Sequence, residues 1–182
     1  MSSVRSATSQ PHLAADRALA PLIRLGGIAA IGGGGLRVIA TLIPSVPGSA
    51  MLEALYAAID LGLLFGLIAI YLESAEATGR IGLAGFCVAL AGLASIVGPD
   101  AAAFGIDFYQ LGSAVFVLGL VPLAVQLVRL PIQHLAGAAW LISAGLGLVA
   151  AANQTAWALA AAGATLGAGF VLGGVGLLQT KQ

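Results

Sequence analysis

Residues 52–73 read LEALYAAIDLGLLFGLIAIYLE. The run is apolar enough to cross a bilayer as a helix, for which about 20 residues suffice, yet it carries Glu53, Tyr56 and Asp60. Spacings of three, four and seven residues return side chains to one helix face, so two carboxylates and a phenol share a stripe. An ionised carboxylate at membrane depth is costly unless it is paired or wet. The stripe is therefore expected to look inward at other protein, and Arg37 on the preceding apolar segment is the partner within reach.

Working outward, the composition agrees with a bilayer. Of 182 residues, 60% are apolar and only 8% charged, too little polar surface for a water-soluble domain. Seven basic and seven acidic residues cancel, so nothing in the charge balance points to nucleic acid as a partner. Residues 1–20 are polar and serine-rich without the basic, apolar and small-residue regions of a cleavable signal, and are expected to form a cytoplasmic tail. The expected fold is all-α: a polytopic integral membrane protein whose six transmembrane helices form one bundle over residues 21–179, followed by a short tail at 180–182. The helices are expected at about 22–43, 51–72, 81–98, 108–128, 135–152 and 156–178. Pro44, Pro47 and Gly48, then Gly79, then Gly98 and Pro99, then Pro131, then Asn153 and Gln154 punctuate the links. Links this short make successive helices antiparallel neighbours, that is, three hairpins.

Basic residues set the orientation. Arg5, Arg17, Arg24, Arg80, Arg129 and Lys181 fall on one side, while the opposite links contain Asp100 and Asp107 but no Lys or Arg. The positive-inside rule puts both termini in the cytoplasm, in keeping with a bacterial inner-membrane protein. Arg37 breaks that pattern. At 1.5 Å per residue it lies about 9 Å below the outer boundary, between Glu53 at about 3 Å and Asp60 at about 13 Å. Two readings stay open. Arg37 with Glu53, Tyr56 and Asp60 is either an ionic lock on the first hairpin or a pocket that opens away from the cytosol. Asp107, Gln110 and Ser113 at the start of the fourth helix are expected at the mouth of the same site, whereas Tyr109 and Trp157 read as interfacial belt residues.

Glycine supplies 26 residues, and small-residue spacings such as Gly62 with Gly66 and Gly163 with Gly167 recur. Lipid offers no hydrophobic force between helices, so backbones brought close at glycine are how a bundle associates. The run Gly32 to Gly35 reads as a packing patch or as a local unwinding beside Arg37. A period near 53 residues aligns Tyr56 with Tyr109 and Gly66 with Gly119, which implies hairpins repeated about a pseudo-threefold axis.

No cofactor and no metal site is expected. The only histidines, His12 and His134, lie outside the apolar runs, Lys181 is the only lysine, and Cys87 is the only cysteine. No nucleophile stands near a base, so the chain is not expected to be an enzyme. Two functions remain: an interaction or accessory membrane protein, as a homo-oligomer or in a larger complex, or a carrier or binder of a small solute, ion or lipid. Both take the lipid bilayer as partner. Only the second uses Arg37, Glu53, Tyr56 and Asp60 as a ligand site.

Overall fold

A computed structural model of the chain describes residues 10–43, 49–97, 102–103 and 106–179. The ends at 1–9 and 180–182, and Pro44, Pro47, Gly48, Gly98, Pro99 and Asp100 of the expected links, lie outside the described residues. The described chain forms five helices: α1 (Gln10–Ala40), α2 (Ala50–Ile96), α3 (Phe108–Leu127), α4 (His134–Asn153) and α5 (Ala156–Gln179). All five are long and apolar enough to cross a membrane. Leu118, Leu148 and Leu159 are 69%, 72% and 66% exposed on the outside of the bundle, a surface that suits acyl chains and not water.

The expected second and third segments are joined in α2, whose 47 residues make about 70 Å of helix, more than twice the hydrocarbon thickness of a bilayer. Gly79 interrupts it with φ 59° and ψ −156°, a left-handed backbone value open to glycine and costly for other residues. The chain doubles back there. Tyr71 and Phe86 stack at 4.0 Å between ring centroids, whereas 15 positions along a straight helix would hold them about 22 Å apart.

Local chemistry sets the other ends. The apolar portion of α1 begins at Leu19, but the helix starts at Gln10, inside the stretch expected as a polar tail, and runs through Pro21. It ends at Ala40, where Thr41, Leu42 and Ile43 tighten into bonds three residues back and the Thr41 hydroxyl donates to the Val38 carbonyl at 2.6 Å. Ser49 caps α2 and Asp107 caps α3, each side chain accepting from a backbone N–H three residues on. Just before Asp107 the link carries a two-residue antiparallel ladder, β1 (Ala102–Ala103) with β2 (Ile106–Asp107), which no strand-like alternation in the sequence announces.

Glycine contacts fix the neighbours. A Cβ on Gly33 would lie 2.8 Å from the Gly62 backbone, and one on Gly34 would lie 2.5 Å from the Gly167 carbonyl. Adjacent positions on a helix point about 100° apart, so this pair lets α1 wedge between the first limb of α2 and α5. The helix stays continuous through Gly32 to Gly35, which corresponds to packing and not to unwinding. Gly85, Gly92 and Gly119 bring the second limb of α2 against α3, Gly137 sets α4 on α3, and Gly169 receives Trp140 of α4 on α5. With the Tyr71–Phe86 stack, these contacts close a ring around a core of Leu67, Leu120, Phe116 and Phe170. They also gather the Gly79 turn, the 128–133 link and the end of α5 at one end of the bundle, with Arg24, Arg80 and Arg129 exposed there.

A pair of substitutions checks this packing. Gly33→Ala must force apart the backbones of α1 and α2 and is expected to lower stability in detergent by about 1–3 kcal/mol. Gly32→Ala, with nothing within 4 Å of the new methyl, should leave the thermal midpoint unchanged or slightly raised, since alanine is the better helix former.

Candidate functional site

At the end away from those arginines the helices leave a cavity of about 150 Å³. An engineered void of about this size in another protein takes up one benzene. Both limbs of α2 and all four other helices contribute to its wall: Arg37 from α1, Asp60 and Leu93 from α2, Tyr109 and Ser113 from α3, Ser143 from α4 and Gly163 from α5. The remaining lining is apolar, with Leu63, Phe116 and Leu166 prominent.

The two charges reach the cavity differently. Arg37 sits one turn before the end of α1, and its stem crosses Gly167 and its guanidinium lies over Gly163. A Cβ at Gly163 would come within 3.5 Å of Nη2, so the two missing side chains of α5 are what make room for the arginine. Asp60 stands two turns below Glu53 on α2 and is only 6% exposed. Arg37 is within electrostatic reach of both Asp60 and the Tyr109 hydroxyl. No nitrogen of Arg37 lies within 4.0 Å of a carboxylate oxygen among the described residues. Asp60 likewise makes no side-chain hydrogen bond with another described residue. The expected Arg37–Asp60 contact is thus a pair facing one cavity across a gap, not a closed ion pair.

The rest of the expected constellation separates by depth. Along the α2 stripe Glu53 is exposed and Tyr56 half-buried; neither lines the cavity, although Tyr56 is close enough to act on Tyr109. Asp107 is exposed and its carboxylate accepts from the Gln110 N–H at 2.9 Å, which makes it a helix cap. Gln110 is exposed and outside the lining, whereas Ser113, one turn deeper, belongs to it.

The roles of three wall residues escape a reading by sequence. Tyr109, which reads as an interfacial belt residue, is half-buried in the cavity wall. Ser143 hides in an apolar run; its hydroxyl donates to the Ala162 carbonyl at 2.8 Å, tying α4 to α5. Gly163 matters by what it lacks. An α3 residue nearly two turns in from an acidic cap is a usable signal for Ser113, but nothing local marks Ser143, and the Gly163 and Gly167 spacing marks packing without revealing the arginine it admits. Among the described residues no group of His, Cys, Asp and Glu is arranged to hold a metal. Comparison with family models, with curated proteins and with solved structures gives no match to this chain.

Proposed function

We propose that the chain is a polytopic membrane protein of six spans, α2 contributing two, that binds a small polar solute inside the bundle as a carrier or binding protein. The observation that carries this reading is the cavity itself. Asp60 is buried in its wall without a donor on its carboxylate among the described residues, and a carboxylate at that depth calls for a partner or water. The length of α2 and the Tyr71–Phe86 stack support counting it as two spans. Each of three hairpins then supplies a share of the wall, an arrangement that parallel repeats about a membrane-normal axis produce. The exposed Arg24, Arg80 and Arg129 at one end favour a cytoplasmic location for that end and for both termini, with the cavity nearer the opposite face of a bacterial inner membrane. Chemistry on the solute lies outside the proposal, because among the described wall residues no histidine or lysine stands beside Ser113 and Ser143.

A second reading, an accessory subunit or homo-oligomer, rests on Gly32 and Gly35, beside which α1 leaves open space. The other α1 glycines that would serve a partner helix are occupied within the bundle. Co-purification with a fixed partner in mild detergent favours this second reading.

Thiol accessibility tests the first. In a Cys87→Ala background, Asp60→Cys is expected to react with a small water-soluble methanethiosulfonate, while Leu67→Cys, fully buried in the core, stays inert. Equal inertness of both positions would contradict a solute-accessible cavity.

A further inference from the structure

The chemistry of the cavity wall is specific enough to name a solute class, and the inference rests on the reading just given. We infer that the cavity takes a small zwitterion with a compact apolar substituent, its anionic group on Arg37 and its cationic group on Asp60.

Charge balance selects this class. Among the described residues the wall carries one positive and one negative side chain, and they do not neutralise each other by contact, since no Arg37 nitrogen lies within 4.0 Å of Asp60. A simple anion would pair with Arg37 and place a second negative charge beside Asp60. A simple cation would do the reverse to Arg37. Inside the bundle, where water screens less than in bulk, each leaves one of the two charges opposed and uncompensated. A ligand that holds both signs answers each charge with its opposite, and the loaded site stays neutral at membrane depth.

Geometry and size agree. The guanidinium, held over Gly163, presents a planar fork suited to a carboxylate. Asp60 accepts without donating when ionised, which suits an ammonium, and its charge also suits a quaternary nitrogen that has no N–H to donate. Tyr109 and Ser113 add hydroxyls beside the charged end. Leu63, Phe116 and Leu166 make the remaining wall apolar, so the rest of the ligand is hydrocarbon. A volume near 150 Å³, about that which takes up a benzene ring, matches a short aliphatic amino acid or a small betaine.

The test uses the full-length wild-type protein in lipid nanodiscs and needs no variant. Binding is measured by calorimetry for L-alanine, L-valine and glycine betaine. The same titrations are run with N-acetyl-L-valine, which keeps the anion alone, and with L-valine methyl ester, which keeps the cation alone. The expected result is that at least one zwitterion binds and that a ligand of single sign binds at least about tenfold more weakly. Binding of either single-sign derivative within about twofold of its parent overturns the zwitterion assignment but leaves a solute pocket standing. Absence of binding across the whole panel also overturns it, and the Asp60→Cys labelling then decides separately whether the pocket itself survives.

Discussion

Asp60→Asn is expected to abolish most solute binding while leaving the fold as stable as before, or more so. The amide keeps the shape of the carboxylate and removes its charge, so the cationic end of a bound solute loses its counter-charge. Removing one partner of a buried, hydrogen-bonded charge pair costs about 2–5 kcal/mol, or about 30-fold upward in dissociation constant. The stability arm has the opposite sign. Asp60 is 6% exposed and has no donor among the described residues, so in the empty protein its charge is a cost that Asn relieves. An ionic lock between α1 and α2 would behave otherwise: losing one member of a buried, closed pair destabilises by about 3–5 kcal/mol. Thermal unfolding in detergent, run beside the binding titration, separates the two. Preserved stability with lost binding favours the pocket, and a large drop in the midpoint favours the lock.

Phe170→Ala should produce the largest loss of stability of any single truncation in the bundle. The side chain is fully buried on α5 at the centre of the helices, tilted against Trp140 at 4.9 Å and against Phe116 at 6.4 Å. It therefore ties α4 and α3 to α5 at once. Truncating a buried Phe to Ala costs about 3–5 kcal/mol through lost contacts and the void left behind. Helices in lipid depend on packing more than on solvent exclusion, which makes the void the dominant contribution. Phe65→Ala, at a ring 55% exposed on the outer face, removes the same atoms from an outward site and is expected to change the midpoint little. Denaturation of the two variants side by side checks the contrast; equal losses would mean that Phe170 is not at the centre of the bundle.

Much of this molecule is legible along the chain and some of it is not, for a common reason. Apolar runs and glycine breaks mark most of the places where helices stop and turn, and Gly79 stands out as the break at which α2 reverses. Arg37 and Asp60 are legible because each is anomalous in an apolar setting. Which way a residue faces is harder to read. These helices are apolar on nearly every side, so they lack the one-sided periodicity that tells core from surface in a water-soluble helix. Tyr109 and Ser143 reach the cavity through the rotation of α3 and α4, which packing on Gly119 and Gly137 sets. Glu53 and Asp107 show the converse. Both are credible site residues by type, yet both sit in the exposed first turn or cap of a helix, where an acidic side chain is favoured by the exposed N–H groups.

The most direct measurement joins the two charged positions covalently through water. In the Cys87→Ala background, Arg37→Cys and Asp60→Cys are combined and treated in nanodiscs with a short, water-soluble bifunctional methanethiosulfonate. Both positions line one cavity, so the expected result is an intramolecular bridge that joins α1 to α2 and raises the unfolding temperature. Each single-cysteine protein should label once. If both single variants label but the double variant never bridges, or if neither position reacts, then Arg37 and Asp60 do not share a wet interior, and a solute site between them is contradicted.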